Sequence, residues 1–335
     1  MNLENRISAF VELGEQLSTH KFTDEFYNKV ESNNPWFVKE NIIFAVQELS
    51  ELLTKEKLTS WLSKYPDLNN NKEIKKVAVI TAGNIPLVGF HDFLSVLISG
   101  NAILVKLSGK DNFLLKEIAN LLIEIEPKFA GRIEFSDAII KGFDAIITTG
   151  SNNSAKHFNY YFEKYPHIIR QNRNSVALLS GDESEERLFA LADDIFKYFG
   201  LGCRNVSKLF IPQDMEIGRI FESFNNYAHY LNHNKYANNY DYNRSIYLMN
   251  NIKFLDNGFA ILREDESYAS PISVIYYQRY TDVNVVKQEL EANSDIIQIV
   301  VSDMSEKFIK FGKAQKPDLN DYADNVDTIM FLTGL

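Results

Sequence analysis

The order of apolar and polar positions divides the chain into three stretches. In residues 1–72, apolar side chains recur every three or four positions, as in residues 36–53, and this spacing predicts an N-terminal helical region. From residue 74 onward, short apolar runs of strand length alternate with amphipathic segments. Continuous apolar strands separated by helices are typical of a parallel sheet covered on both faces, so we expect an α/β fold.

The alternation begins afresh after residue 203, which predicts two α/β domains with a boundary near residue 181. The first group comprises strands at 76–81, 102–107, 144–149 and 175–180 and helices at 87–99, 113–124, 152–164 and 185–199. The second comprises strands at 208–212, 245–250, 259–262, 272–277 and 296–301 and helices at 216–232, 283–292 and 305–311. Residues 69–72 and 236–243 are rich in Asn or Tyr, and we expect both to be loops.

Composition narrows the class of protein. Hydrophobic residues make up 45% of the 335 positions and charged residues 24%, as in ordinary soluble globular proteins. A formal net charge of -10 argues against a nucleic-acid partner, because phosphate binding needs a basic surface. No run approaches the roughly 18 apolar residues of a membrane span. Residues 1–15 lack the apolar core of an export signal, and with a single cysteine this predicts a cytoplasmic protein.

Cys203 is the only cysteine, in the phrase Gly200-Leu201-Gly202-Cys203. A single thiol forms no internal disulfide, so it is either a buried core residue or a nucleophile. The glycines allow a substrate to approach closely, and the N–H of Cys203 could help to hold an oxyanion. We expect no metal site, because Tyr230 stands where a helical zinc motif needs glutamate between His229 and His233.

Three phrases in the first α/β stretch follow predicted strands, where parallel sheets meet their ligands. Asn84 lies in Gly83-Asn84-Ile85-Pro86 and either caps a helix or donates to a carbonyl oxygen. Lys106, at a strand end, either contacts a nucleotide or is simply solvated. Gly150-Ser151 opens a helix whose N–H groups suit a pyrophosphate. The dinucleotide signature GxGxxG is absent from the sequence.

In this order the phrases resemble those of the aldehyde dehydrogenase superfamily. The counterparts are Asn84-Ile85-Pro86, Gly100-Asn101, Lys106-Leu107-Ser108, Thr149-Gly150-Ser151, and Cys203 followed by Ser207-Lys208. The amino-acid sequences of residues 83–89 and 200–210 are similar to those of the acyl-CoA reductases, including the fatty-acid reductase of bacterial luminescence. The resemblance implies a Rossmann-like NAD(P)-binding domain with the N-terminal helices (1–180) and a catalytic cysteine domain (181–310). Residues 311–335 form a C-terminal segment, with return to the first domain as one option.

The resemblance also implies a reaction. Cys203 would attack an acyl thioester, acyl-CoA or a carrier-bound acyl group, while Asn84 holds the oxyanion. Lys106, Ser108, Gly150 and Ser151 would bind the nicotinamide cofactor, whose hydride releases an aldehyde. Fatty acyl-CoA is the favoured donor.

Departures from the superfamily pattern refine this expectation. The hydrolytic members' water-activating glutamate is missing from Arg170-Gln171-Asn172-Arg173, so a thioester would persist. We expect both arginines to be surface charges, with contact to a charged donor such as coenzyme A phosphate as the alternative. Three residues after Lys106, many NAD-dependent relatives carry glutamate where this chain has Gly109 followed by Lys110. Losing an acid and gaining a base predicts NADPH as the cofactor, with NADH as the alternative.

In the superfamily, a phrase that begins with glutamate contacts the nicotinamide ribose. Its counterpart here is residues 267–271, and Glu266 lies one position before the place of that glutamate. Which residue contacts the ribose is therefore left open. Three other functions stay open: an acyl-phosphate reductase, a cysteine acyltransferase or thioesterase without redox chemistry, and a non-catalytic scaffold. Quaternary structure is also open, with a homo-oligomer as one option.

Overall fold

The structure, a computed structural model, describes residues 1–69 and 73–335. These residues form two compact units, Met1–Asn172 with Asp318–Leu335, and Arg173–Pro317. Of the run 69–72, expected to be a loop, residues 70–72 lie outside the described part.

The first unit begins with four helices, as the sequence predicts. They are α1 (Leu3–Thr19), α2 (Asp24–Asn33), α3 (Lys39–Leu52) and α4 (Lys55–Leu62). Asn2, Thr23 and Thr54 cap three of them, each accepting from a backbone N–H three residues further on. Because α1 packs against α3 and is apolar on that face, the helical region is part of the first unit's core.

The first sheet has five parallel strands. They are β1 (Lys76–Ile80), β2 (Ala102–Lys106), β3 (Ile133–Phe135), β4 (Ala145–Thr149) and β5 (His167–Arg170), in the order β3-β2-β1-β4-β5. The intervening helices are α5 (Phe90–Ile98), α6 (Leu114–Ile125) and α7 (Asn152–Phe162). The chain runs outward from β1 to β3 and returns on the other side at β4. Strand order therefore reverses between β1 and β4, where open α/β sheets bind ligands.

The second unit contains a six-stranded sheet in the order β11-β6-β7-β10-β9-β8. Its strands are β6 (Asn174–Leu178), β7 (Val206–Pro212), β8 (Leu255–Asp256), β9 (Ile261–Glu264), β10 (Val274–Tyr280) and β11 (Ile297–Val301). All neighbours are parallel except β8 and β9. Its helices are α8 (Glu185–Phe196), α9 (Ile217–Ser223), α10 (Asn234–Met249) and α11 (Val283–Ala292). Two parallel-sheet α/β units with N-terminal helices confirm the predicted fold class.

One feature of this division differs from the sequence pattern. Strand β6, which the pattern placed in the first domain, pairs with β7 and β11 in the second sheet. Its apolar run, Val176 to Leu178, would suit either sheet, and periodicity does not select a partner strand. The last helix, α12 (Thr328–Thr333), belongs to the first unit.

Three predicted elements are wrong. Residues 245–250, predicted as a strand, and 236–243, predicted as a loop, both lie in α10, apart from Asn250, which caps it. The helix forms because Tyr236, Tyr240, Asn243 and Tyr247 are buried at three- and four-residue spacing. Residues 305–311 form turns instead of a helix, because Ile309 bridges to Val301 beside β11.

Candidate active site

The carboxyl edge of the first sheet gathers the residues predicted to bind a cofactor, together with Asn84, the predicted oxyanion donor. Lys106 is paired with Ile80, and Ile80 with Thr148, so the loops after β2, β1 and β4 leave the sheet side by side. Adjacent strands lie about 4.8 Å apart, so these three loops share one edge. Asn84, Lys106, Ser108, Gly150 and Ser151 all lie in or next to them.

The turn after β1 lies close to the loop after β2. A Cβ at Gly83 would stand 2.7 Å from the Ser108 Oγ, so only glycine allows this approach. Helix α5 begins at Phe90 with Gly89 as its cap, so Asn84 precedes the helix by several residues and does not cap it. Leu87 adopts a left-handed φ of 57°, and its N–H donates to Asp111 Oδ2 at 3.4 Å. Burial raises the pKa of Asp111 to about 6.

The two phosphate-binding candidates stand on either side of this turn. The Lys106 Nζ donates to the Ala138 carbonyl at 2.8 Å. The Ser151 side chain caps α7, accepting from the Ser154 N–H at 3.2 Å. A Cβ at Gly150 would come within 3.0 Å of the Ser154 Cβ, so glycine keeps the start of α7 tight against the strand end. An eleven-residue helix presents its N–H groups and positive dipole end at this edge, as a pyrophosphate requires.

Cys203 belongs to the second unit and is partly exposed. Between α8 and the cysteine, three consecutive residues adopt left-handed backbone: Tyr198 (φ 55°), Phe199 (φ 58°) and Gly200 (φ 74°). Left-handed non-glycine residues cost about 1–2 kcal/mol each, and such strain concentrates at functional sites. We call residues 200–205, between this turn and β7, the nucleophile loop.

Asn205, a residue that the sequence reasoning missed, holds the nucleophile loop. Its Oδ1 accepts from the Gly202 N–H at 2.8 Å, and its own N–H donates to the Gly202 carbonyl at 3.0 Å. Its Nδ2 lies 3.2, 3.1 and 2.9 Å from the carbonyl oxygens of Asp194, Ile195 and Lys197. The side chain is 4% exposed, and it joins the loop to the end of α8. In the sequence, the position of this asparagine two residues after Cys203 was the signal that could have indicated its role.

A buried carboxylate joins α8 to the segment after β11. The Asp194 oxygens accept from the N–H groups of Gly312 at 2.7 Å and Ala314 at 2.9 Å. Burial raises the pKa of Asp194 to about 7, although both N–H bonds and Arg204 favour its charged form. Arg204 Nε donates to the Ala314 carbonyl at 2.6 Å, so the residue after Cys203 is tied to the same segment.

The nucleophile loop also contacts the sheet through Ser175, whose Oγ donates to the Cys203 carbonyl at 2.8 Å. On β7, Ser207 and Lys208 bond to the connection between β9 and β10. Ser207 Oγ lies 2.6 Å from the Tyr268 carbonyl, and Lys208 Nζ lies 2.6 Å from the Glu266 carbonyl. In the second unit, these bonds thus join β7, the strand after the nucleophile loop, to the connection between β9 and β10. That connection contains residues 267–271, the counterpart of the superfamily's nicotinamide-ribose phrase.

Arg170, expected to be a surface charge, is buried, and that expectation was wrong. Its guanidinium pairs with the Asp92 carboxylate of α5 and donates to the Thr328 hydroxyl of α12 at 3.0 Å. A buried arginine needs a charged partner, which Asp92 of α5 supplies, and α12 adds a hydroxyl acceptor from the far end of the chain. Arg170 therefore has a structural role inside the first unit.

Two negative observations apply to residues 1–69 and 73–335. No helix there combines the length and apolar character needed to cross a bilayer. No three His, Cys, Asp or Glu side chains gather there in a way that could hold a metal ion. His233 instead caps α10, its Nδ1 accepting from the Tyr236 N–H at 3.3 Å.

Comparison with known proteins places these observations in a family. The sequence model described as acyl-CoA reductase (LuxC) matches residues 13–233, more than half of the chain. No curated protein matches the sequence significantly.

Solved structures of aldehyde dehydrogenases share the fold. An NAD-dependent benzaldehyde dehydrogenase from Corynebacterium glutamicum is 14% identical with a TM-score of 0.65, covering 92% of this chain and 78% of its own. Aldehyde dehydrogenase 21 from Physcomitrella patens, in complex with the reaction product succinate, is 12% identical with a TM-score of 0.63 (92% and 75%). An aldehyde dehydrogenase from Bacillus cereus, in complex with NAD+, is 13% identical with a TM-score of 0.61 (90% and 72%). At these identities the likeness shows an aldehyde dehydrogenase-like fold.

Proposed function

The chain belongs to the acyl-CoA reductase (LuxC) family, and on that premise we propose that it reduces an acyl thioester to an aldehyde with NADPH. Family and fold together support acyl reductase activity with a nicotinamide cofactor. The covalent route through Cys203, the fatty acyl-CoA donor and the preference for NADPH are our proposals. The observation that best supports the covalent route is a partly exposed cysteine in a loop held by the buried Asn205.

The proposed chemistry begins at the Cys203 sulfur. Its thiolate adds to the thioester carbonyl, and the displaced thiol leaves with the proton that Cys203 gave up. The backbone N–H of Cys203 and, from the resemblance alone, Asn84 would stabilise the oxyanion. One such donor is typically worth about 3 kcal/mol of barrier. A bound reduced nicotinamide would supply a hydride. The carbonyl carbon of the Cys203 thioester would accept it to form a thiohemiacetal oxyanion, which would collapse to the aldehyde and the Cys203 thiolate.

The first unit offers a fitting place for the cofactor. Gly150 and the Ser151-capped start of α7 suit a pyrophosphate, and Lys106 and Ser108 lie at the end of the strand on the other side of β1. We propose these four residues as the cofactor-binding set. Lys110 is exposed next to the open position at Gly109, where a 2′-phosphate would meet a base instead of an acid.

Cofactor preference provides a direct prediction. We expect the wild-type protein to prefer NADPH and Gly109→Glu to shift the ratio of kcat/KM values about tenfold toward NADH, which corresponds to about 1.4 kcal/mol. A Cβ at Gly109 meets no atom within 4 Å, so the glutamate fits without strain. The measurement is steady-state kinetics with both cofactors.

Gly131→Glu is the matched control. A Cβ at Gly131 also meets no atom within 4 Å, and this residue precedes the amino end of β3, whereas Gly109 follows the carboxyl end of β2. It adds the same charge and should leave the ratio unchanged. Clear preference of the wild-type protein for NADH, or equal shifts in both variants, would contradict the assignment.

The activity itself is tested with NADPH, a panel of acyl-CoAs and acyl phosphates, and a hydrazine trap for the aldehyde. We expect NADPH oxidation matched by trapped aldehyde with long-chain acyl-CoA. Turnover of acyl phosphates alone would identify the acyl-phosphate reductase. Release of thiol without NADPH oxidation would identify a thioesterase or acyltransferase, and a silent panel would favour the scaffold.

A further inference from the structure

We propose that the first unit binds a phosphate group at the amino edge of its sheet, where the strands begin, between Arg6 and Arg132. A cavity of about 500 Å³ opens at this edge, and Lys75 and Asn101, which directly precede β1 and β2, line it. Each of these strands has five residues, so the cavity lies about 16 Å from the carboxyl edge that holds the cofactor candidates. The site is therefore separate from the cofactor-binding set, and the inference goes beyond the proposed function.

Arg6 brings a buried positive charge to this cavity from α1. The residue is 6% exposed. Its Nε and Nη1 donate to the carbonyls of Ile98 and Met1, both at 2.7 Å, and its Nη2 donates to the Leu68 carbonyl at 3.3 Å. A guanidinium has five N–H donors, so two are left after these three bonds. The carbonyls hold the side chain in place but carry no net charge, whereas buried charges in proteins are normally paired.

Arg132 places a second positive charge beside the first. Both guanidiniums lie next to Gly100: Arg132 Nη1 donates to its carbonyl at 3.4 Å, and a Cβ at this residue would lie 3.2 Å from Arg6 Nη1. Gly100 also has a left-handed φ of 92°, so glycine is needed here for both conformation and space. Burial, and after it the charge of Arg132, lowers the pKa of Arg6 to about 10. An anion in the cavity would relieve this repulsion between the two cations.

The two arginines have no acidic partner among residues 1–69 and 73–335. Their hydrogen bonds there are to backbone carbonyls, and neither guanidinium forms an ion pair with a side-chain or terminal carboxylate of those residues. The stretch 70–72 is Asn-Asn-Lys, which contains no acid. The acidic side chains that line the cavity, Asp67 and Glu73, belong to exposed residues, and Glu73 pairs with Lys75 at 2.8 Å. The charge of the two arginines is thus available to a ligand.

The number of charges favours phosphate over carboxylate as the ligand group. A phosphate monoester carries a charge of about −1.5 to −2 at neutral pH and three acceptor oxygens, which suits two guanidiniums. A carboxylate carries a single charge and would leave one arginine uncompensated. The cavity volume falls within the range of small-molecule sites, roughly 300–1,000 Å³, so the site has room for more than the phosphate group alone. We therefore expect both inorganic phosphate and small phosphate monoesters to bind.

The test measures binding of inorganic phosphate to the full chain by isothermal titration calorimetry. We expect one phosphate per chain in the wild-type protein and binding at least about tenfold weaker in Arg132→Gln. Arg132 is the residue to change because it is partly exposed and donates to a single carbonyl, whereas loss of Arg6 would leave three carbonyls without their donor. Arg132→Lys, which keeps the charge, should bind phosphate more tightly than Arg132→Gln.

Two matched controls remove one positive charge elsewhere. Arg187→Gln changes an arginine that pairs with Asp303 in the second unit, and Lys106→Gln changes a lysine at the carboxyl edge of the first sheet. Both should bind phosphate as the wild-type protein does. Absence of binding by the wild-type protein, equal binding by Arg132→Gln, or a loss confined to Lys106→Gln would overturn the proposal.

Two further measurements identify the ligand class and remove the dependence on a folded variant. Glycerol phosphate that binds at least as tightly as inorganic phosphate would support a site for an esterified ligand, and weaker binding would support a site for the free ion. Tighter binding of acetate than of phosphate would overturn the phosphate assignment. In the wild-type protein, phosphate should protect Arg132 but not Arg187 from modification by phenylglyoxal, read by mass spectrometry. Equal modification of Arg132 with and without phosphate would contradict the site even if Arg132→Gln does not fold.

Discussion

Cys203→Ala is expected to lose acyl-CoA-dependent NADPH oxidation by at least about 10⁴-fold, the scale on which removal of a nucleophile acts. Alanine removes the sulfur but leaves the backbone N–H of residue 203 and the Asn205 bonds that shape the loop. The cofactor candidates lie in the other unit, so NADPH binding should persist. The measurements are NADPH consumption, cofactor binding by fluorescence, and intact mass after incubation with acyl-CoA without reductant.

The mass measurement locates the chemistry as well as detecting it. Wild-type protein should gain one acyl group on the peptide containing Cys203, and Cys203→Ala should gain none. Cys203→Ser serves as the near-isosteric control, because a hydroxyl at neutral pH is a much weaker nucleophile than a thiolate. Full turnover in either variant, or an adduct elsewhere, would refute the covalent route.

Asn205→Ala is expected to slow acylation of Cys203 about 100-fold and to lower the free energy of unfolding by about 3 kcal/mol. The variant leaves the carbonyls of Asp194, Ile195 and Lys197 and the Gly202 N–H without the amide that joins them. The left-handed turn at Tyr198 and Phe199 is strained, so it persists only while surrounding bonds hold it. Acylation kinetics and denaturant unfolding measure the two effects.

Two variants provide the comparison for Asn205. Asn250→Ala removes an exposed amide whose Nδ2 donates to the Ile246 carbonyl, and it should be close to neutral. Asn205→Asp keeps an acceptor for the Gly202 N–H but turns a carboxylate toward three carbonyl oxygens, so it should be more harmful than alanine. A neutral Asn205→Ala would show that the loop keeps its form without the clamp.

Much of the fold was predictable from local pattern. The strands β1, β2, β4, β7 and β11 and helix α11 coincide with predicted elements to within two residues, because periods of two and 3.6 are local properties. The misassigned residues 245–250 show the limit. Their β-propensity is real, but the tyrosines of α10 bury a helical face against β9 and β10, and packing outweighs propensity. The short strands β3 and β5 gave too few residues for a pattern.

The candidate site likewise contains residues that the local sequence indicated and residues whose roles depend on distant contacts. Cys203, Asn84 and the cofactor phrases were found from residue chemistry and order along the chain, and they remain assignments for experiment to decide. Asn205 and Arg170 were missed or misread, because their roles depend on contacts with other segments, such as α8 for Asn205 and Thr328 for Arg170.

By itself, then, the sequence determined the fold class, the lone thiol and the family, since these reside in short-range spacing and in the residue types present. The tertiary structure alone decided which sheet takes β6, which charges are buried, and how the loop around Cys203 is held. The physical reason is that partner strands, burial and backbone clamps arise from contacts between distant segments, and no local pattern of apolar and polar residues encodes them.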